Sequence, residues 1–178
     1  FQIDPRLKAI QVLISTLSVK SQHNPQDVTA LAAMGREIAP TTLFLIQNDL
    51  AHNISETGEP WPLFTLFGQW KAVETEDYLL GASCDGSLSA PSAAIAIDRA
   101  RAYPLIEALM PHSLGAAVAI AALGEKRAVP FIMAQNTYGQ DQREELILHA
   151  LTAATGQTHI WQDWKAWWED TGSKQVWK

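Results

Sequence analysis

Apolar and polar positions along this chain follow a phrase that occurs three times. The copies read ALAAMGREIAPTTLFLI (30–46), AAIAIDRARAYPLIEAL (93–109) and AVAIAALGEKRAVPFIMA (117–134). Each begins with an Ala-rich segment of helical periodicity, and a short polar joint then leads to a Pro and a second apolar segment. Pairs of helices that recur at a nearly fixed period are typical of an α-solenoid, because one pair cannot bury its own apolar face.

Proline marks the joint in each copy. Proline fixes φ and lacks a backbone N–H, so it suits the first positions of a helix and breaks a helix interior. We therefore expect Pro40, Pro104 and Pro130 each to end one helix and begin the next within a few residues. A divergent unit lies between the copies at Pro40 and Pro104, and either Pro62 or Pro91 marks it.

The pattern as a whole predicts eight to ten short helices and no strand, because no segment sustains a period of two. Asp4 and Pro5 supply an N-cap and a first helical residue for the first helix. Residues 76–82 continue the fourth helix or form a fifth, and residues 83–92 form the longest loop, which we expect to be the most mobile. The predicted helices cover about 5–19, 25–37, 40–50, 60–73, 90–101, 103–110, 113–123, 129–136, 141–155 and 161–169.

These helices fit an α-solenoid or an irregular bundle, and the repeated phrase favours the solenoid. We expect an all-α fold, an α-α superhelix of about four to five helix pairs, in a single domain over residues 1–178. Within it, residues 1–82 are degenerate repeats, residues 90–157 are clearer repeats and residues 158–178 form a Trp-rich cap. In the third helix we expect a core face of Leu43, Phe44, Ile46 and Leu50.

Composition narrows the classes of partner. The chain is 47% hydrophobic and 18% charged, with a formal net charge of −6. An acidic chain without clustered Lys and Arg is a poor match for the phosphates of nucleic acid, and no apolar run approaches the ~20 residues of a membrane span. The chain starts at Phe1 rather than Met, so we expect that an upstream segment has been removed. Whether that segment was a signal or an anchor, and whether the protein is in the bacterial cytoplasm or the periplasm, stays open.

No local motif indicates catalysis, a metal or a cofactor. The single cysteine, Cys84, has no His or cation adjacent in sequence to lower its pKa. The five histidines form no HExxH motif, and the sequence has neither a CxxC motif nor a phosphate-binding loop. We therefore predict no catalytic residues, no metal and no cofactor.

From about Arg101 onward the chain resembles the bacterial HEAT-repeat proteins, including the HEAT-like group linked to bilin lyases. The matching segments are RAYPLIEAL (101–109), AVAIAALGEKRAVPFIMA (117–134), LILHALTAATGQ (146–157) and the tail TGQTHIWQDWKAWWED (155–170). The first half matches only through ALAAMGREIAP (30–40). The turn MPHSLG (110–115) lacks the Asp and Arg that are usual in the family. We therefore expect neighbouring repeats to stack in a less regular register there.

The resemblance implies a HEAT-like solenoid closed by a Trp-rich capping helix. Deoxyhypusine hydroxylases of this kind have repeated His-Glu pairs, which this chain lacks, and the related DNA glycosylases have basic concave surfaces, whereas this chain is acidic. The bilin-lyase relationship leaves an enzyme or accessory lyase for a small hydrophobic ligand as the alternative function.

The tail has five of the seven tryptophans. They form either a cap over the last repeat or an aromatic platform for stacking a sugar or peptide, and we favour the cap because solenoid ends need covering. The tryptophans of the tail are Trp161, Trp164, Trp167, Trp168 and Trp177.

The binding candidates lie in the helix predicted over 141–155. There Leu146, Ile147, Ala150, Leu151 and Ala154 define a core face. The second helix of each HEAT-type pair lines the concave surface, so the polar residues beside that core face are candidates for a groove. These are Glu145, His149 and Thr152.

The leading functional hypothesis is therefore a non-enzymatic scaffold that binds a protein or peptide on its concave face. The acidic surface favours a basic partner. The alternative, a lyase-like protein, would need a deep apolar pocket with convergent polar groups.

Overall fold

A computed structural model describes residues 6–17, 25–48, 61–134 and 141–177. Over these residues the chain forms eleven α-helices and four short 3₁₀ helices without any strand, which confirms the predicted all-α class. The α-helices are α1 (Leu7–Leu17), α2 (Pro25–Met34), α3 (Ala39–Gln47), α4 (Trp61–Trp70), α5 (Glu76–Cys84), α6 (Ala90–Ile97), α7 (Arg99–Leu109), α8 (Leu114–Ala122), α9 (Val129–Ala134), α10 (Asp141–Thr155) and α11 (Trp161–Asp170). The 3₁₀ helices are Arg36–Ile38, Val73–Thr75, Lys126–Ala128 and Gly172–Lys174.

The even-numbered helices form a row. Helix α4 packs against α6, α6 against α8, and α8 against α10, while α5 and α7 each pack against α6. Alanine makes this approach close, because a methyl side chain adds little thickness between two helices. Ala94, Ala116 and Ala117 are fully buried in this row. The row therefore defines the face on which a groove can form.

The joint between paired helices recurs with the same backbone geometry. Gly35 and Gly124 have φ values of 81° and 87°, a left-handed conformation that glycine adopts without steric cost. A 3₁₀ turn follows each, and then a helix with Pro40 or Pro130 as its second residue. The predicted role of these two prolines is confirmed. The joint before α5 has the same course, but Lys71 occupies the left-handed position with φ 53°.

The prediction for Pro104 is wrong. Pro104 lies inside α7, which begins at Arg99, and so no helix break separates residues 101 and 103. The reason is an N-cap: the carboxylate of Asp98 accepts a hydrogen bond from the backbone N–H of Arg101 (3.2 Å). This cap begins the helix early enough that proline falls beyond its first turn.

Two further predictions are corrected. In α3 the side chain of Phe44 is 39% exposed, and the buried face is instead Thr41, Thr42, Leu45 and Ile46. At 100° per residue these four residues lie within an arc of about 140°, and Phe44 lies outside that arc. Leu50 lies outside the described residues, as do Asp4 and Pro5.

The predicted loop over 83–92 is also shorter than expected. Ser83 and Cys84 end α5, and Ala90 already begins α6. The remaining turn is packed against α8, because the carbonyl oxygen of Ser87 lies 2.0 Å from the point that a Cβ atom on Gly115 would occupy. Residues 76–82 belong to a separate helix, which decides the alternative left open by the sequence.

Candidate functional site

A groove of about 390 Å³ runs across the row of even-numbered helices. Helices α4 and α6 form most of its wall, α8 and α10 each add one side chain, and the turn before α6 closes one edge. Its apolar surface comes from Gly68, Leu88, Ala93, Ala96, Val118 and Leu146. Its polar surface comes from Thr65, Gln69, Lys71, Ser89 and Ser92.

The floor of the groove results from a close helix contact. A Cβ atom on Gly68 would lie 3.2 Å from the Cα of Ala93 and 3.3 Å from the Cβ of Ala96. Because Gly68 has no side chain, α4 can approach α6 closely. The small side chains of the two alanines leave the groove deep enough to hold a ligand. A ligand in this groove would contact an apolar floor and a rim of hydroxyl and amide groups.

Lys71 is the one charged residue among the described residues that line the groove. It lies just after α4, and its Nζ atom donates a hydrogen bond to the carbonyl oxygen of Ala96, near the end of α6. This bond fixes the ammonium group at the groove, between the C-terminal ends of α4 and α6. A lysine in the left-handed region is uncommon, and such outliers cluster at functional sites.

The residues predicted from the sequence lie beside this groove. Glu145 and His149 are exposed on α10, and Thr152 is half-buried. Leu146, between them, lines the groove. At 100° per residue, His149 is about 60° around the helix from Leu146, and Glu145 and Thr152 are about 100–120° away. The groove lining includes none of the three, and their role in binding stays a prediction.

The core face predicted for α10 is largely confirmed. Ile147, Ala150, Leu151 and Ala154 are at most 3% exposed. Leu146 is the exception, since it is half-buried and faces the groove.

A polar cluster joins α7 to the joint before α9. Arg127 contacts Glu107 (Nη2–Oε1, 2.5 Å) and Glu125 (Nε–Oε2, 2.9 Å), and it donates to the hydroxyl of Tyr103 (2.8 Å). The Tyr103 hydroxyl donates in turn to Glu125 (2.5 Å), and the guanidinium of Arg99 lies 5.5 Å from the Tyr103 ring centroid. These groups satisfy one another, so the cluster acts to fix the joint.

The pKa values in this cluster follow from its hydrogen bonds. The bond to Glu125, followed by burial, raises the pKa of Tyr103 above its ordinary 10.0. Burial alone would raise the pKa of Glu125, but the hydrogen bonds from Tyr103 and Arg127 outweigh it and leave that pKa lowered. Bonds to Glu125 and then Glu107 raise the pKa of Arg127 further above its ordinary value.

A second ion-pair cluster joins α7 to α5. Arg101 contacts Glu76 (3.0 Å) and Asp77 (2.5 Å). Glu76 is 5% exposed, and its Oε1 atom has no hydrogen-bond partner among the described residues. Counted from the 3₁₀ turns, Glu76 corresponds to Ala39 and Val129, which are fully buried. A carboxylate thus occupies a position that the other joints fill with an apolar side chain.

The tryptophans of the tail contact one another. Trp164 is fully buried, and its ring is edge-on to His159 (5.1 Å) and to Trp167 (5.3 Å). Trp167, Trp168 and Trp177 are half-buried, and the indole of Trp177 donates to the carbonyl of Gly172 (2.9 Å). The burial of Trp164 agrees with a structural role for this segment, and the cap itself stays a prediction.

The described ranges present neither a cluster of metal-ligating side chains nor a helix that could span a membrane. They contain no group of three or more His, Cys, Asp or Glu side chains placed to hold a metal ion. None of their helices has the length and apolar character needed to cross a bilayer. The thiol of Cys84 is free and exposed.

Lys71, Gln69 and Ser92 are groove residues that sequence reasoning missed. No sequence signal marked Lys71, because its correspondence to Gly124, two residues before the next 3₁₀ helix, appears only when the joints are aligned by their left-handed backbone conformation. No protein-family model, no curated protein and no solved structure matches the chain.

Proposed function

We propose that this protein is a HEAT-like solenoid that binds a peptide segment of a partner protein in the groove of the even-numbered helices. The groove is the observation on which the proposal rests. It spans four helices, it has an apolar floor, and its rim offers hydroxyl and amide groups that suit a peptide backbone. The alternating helix contacts and the recurring Gly35 and Gly124 joints support the solenoid.

The charge of the chain adds a further expectation about the partner. A net charge of −6 favours a partner whose body is basic, because opposite charges speed the encounter and salt screens the attraction. We expect binding to weaken as the salt concentration rises.

A peptide selection with matched groove variants tests this proposal. Ser92 is an exposed groove residue, so Ser92→Trp should fill the groove without entering the core. Ala100→Trp places the same side chain at an exposed position of α7 outside the groove and is the control. From phage libraries of random peptides displayed either internally or with a free C-terminal end, wild-type protein and Ala100→Trp should enrich the same clones, and Ser92→Trp should lose them.

Nuclear magnetic resonance then locates the bound peptide. Titration of an enriched peptide should shift the backbone amide signals of Gln69 and Ser92. Shifts confined to Glu145, His149 and Thr152 would move the site to the face of α10 predicted from the sequence. Clones that bind Ser92→Trp as well as wild type would refute the groove.

The volume of the groove favours a second candidate function, the binding of a small molecule. A volume of about 390 Å³ lies in the range of about 300–1,000 Å³ that small-molecule sites occupy. A small hydrophobic ligand, as for a lyase-like protein, would therefore also fit. Retention of an uncharged apolar fluorescent dye such as Nile red by wild type and Ala100→Trp, with loss in Ser92→Trp and no peptide enrichment, would favour this candidate.

A further inference from the structure

We infer that the groove recognises the free C-terminal end of a partner polypeptide, with its carboxylate paired to Lys71 and a small apolar last side chain on the floor beside Ala93 and Ala96. This inference rests on the proposed peptide-binding function and specifies its ligand. It follows from the charge, the backbone conformation and the position of one residue.

The left-handed backbone of Lys71 lowers the stability of the fold by more than the hydrogen bond from its side chain to Ala96 restores. A left-handed conformation brings the Cβ atom of a side-chain-bearing residue too close to the following carbonyl oxygen and so lowers stability. The lysine caps α6 through the carbonyl of Ala96, but the gain from a cation at an exposed helix C-terminus is smaller than that steric cost. The corresponding joints avoid the cost with Gly35 and Gly124. A lysine that lowers stability at this position is therefore explained better by binding than by folding.

The ammonium group is available to a ligand in a fixed place. An ammonium has three N–H donors, and the bond to Ala96 uses one of them. That bond restrains the flexible stem, so less conformational entropy is lost when a carboxylate binds. Gln69 and Ser92 are exposed on the same rim and can bond the last peptide units.

The volume favours a chain end over a continuous strand. About 390 Å³ is near the lower limit for ligand sites, and the turn at Leu88 and Ser89 closes one edge. A single lysine provides one positive charge, which matches one terminal carboxylate. An internal Asp or Glu would bring the same carboxylate with chain continuing on both sides, and the experiment separates these two sources.

The test is a selection from a phage library of random heptapeptides that each end in a free carboxylate. We expect wild-type protein to enrich clones ending in Ala, Val or Leu, and Lys71→Met to enrich them at least tenfold less. Lys71→Arg retains the charge and should restore most of the enrichment. Lys126→Met removes an exposed lysine outside the groove and should behave as wild type.

A synthetic peptide from this selection supplies the decisive comparison. The free acid should bind wild type at least tenfold more tightly than the C-terminal amide, and Lys71→Met should bind both equally weakly. Equal binding of acid and amide to wild type, or undiminished binding to Lys71→Met, would overturn the inference.

The two libraries distinguish the failure of this inference from the failure of the proposed function. Clones from the internal library alone, lost in Ser92→Trp, would leave peptide binding in the groove intact and overturn the chain-end inference. Clones with an internal Asp or Glu that depend on Lys71 would assign the lysine to an acidic side chain instead, which also overturns it. Failure of both libraries would overturn both proposals.

Discussion

The carbonyl oxygen of Ser87 lies against the backbone of Gly115, at 2.0 Å from the point that a Cβ atom there would occupy. A carbonyl in a packed turn cannot move as a flexible side chain can. We therefore predict that Gly115→Ala destabilises the protein by about 2–3 kcal/mol, the upper part of the range for overpacking, as measured by urea denaturation.

Gly81 provides the matched control for Gly115. It lies within α5, and no atom approaches within 4 Å of its Cβ position. Gly81→Ala should increase the free energy of unfolding by about 0.4–1 kcal/mol, because alanine has the better helix propensity. Equal effects of the two substitutions would show that the turn does not pack on α8 as described.

Lys71 and Gly124 occupy the same left-handed position in two joints, but only Lys71 has a side chain that makes this conformation unfavourable. Lys71→Gly removes the strain of the left-handed conformation and loses one helix cap, so we expect a net gain of about 0.5–1 kcal/mol. Lys71→Ala retains the strain and loses the cap, so it should destabilise by about 0.3–1 kcal/mol. Thermal denaturation of the pair checks the sign, and destabilisation by Lys71→Gly would make the lysine a structural residue.

The joints between helices differ in how far the sequence alone predicts them. Pro40 and Pro130 predicted joints correctly because a local rule determines them. Pro104 failed because the cap from Asp98 begins α7 upstream, and the strength of a cap depends on geometry that the sequence does not show.

The groove could not be predicted, because it depends on the close approach of Gly68 in α4 to Ala93 in α6. Glu145, His149 and Thr152 came from the periodicity of a single helix, which separates inner from outer faces but not one groove from its neighbouring surface. Lys71 is recognisable only when the joints are aligned by their backbone conformation.

Glu76 is predicted to lower stability. Its buried Oε1 has no partner among the described residues, and leaving a buried polar atom unpaired costs about 1–3 kcal/mol. Glu76→Val should increase the free energy of unfolding by a similar amount, because valine suits the position that Val129 occupies elsewhere and Arg101 retains Asp77. Asp77→Asn, at an exposed position, should change it by less than about 0.5 kcal/mol. Loss of stability in Glu76→Val would show that the carboxylate is satisfied by a group that the structure does not describe.

Trp164 is predicted to contribute most of the stability of the tail. It is fully buried, whereas Trp168 is half-buried, so burial singles out Trp164 as the anchor. Trp164→Ala should cost about 3–5 kcal/mol and Trp168→Ala less. Trp164→Phe should cost much less than Trp164→Ala, since it retains the aromatic packing and removes an indole N–H without a partner among the described residues. A denaturation midpoint that does not move in Trp164→Ala would contradict a structural role for this helix.

The cluster of Tyr103, Glu125 and Arg127 predicts two limits to stability on the pH scale. Glu125 has a lowered pKa in the folded protein, so its contribution is present above its ordinary pKa of 4.5 and is lost as pH falls through the lowered value. Tyr103 has a raised pKa, so its contribution is present below 10.0 and is lost as pH rises through the raised value. The cluster should therefore stabilise the joint fully between these two limits.

Two variants separate the limits. Glu125→Gln should cost about 1 kcal/mol at pH 7, because the partners are partly exposed to solvent, and its difference from wild type should shrink below pH 4.5. Tyr103→Phe should instead lose its difference from wild type above pH 10, where ultraviolet absorbance reports the tyrosinate directly. Urea denaturation across the pH range measures both differences. A constant difference between Glu125→Gln and wild type from pH 7 to pH 3 would mean that Glu125 is not held as a carboxylate by Tyr103 and Arg127.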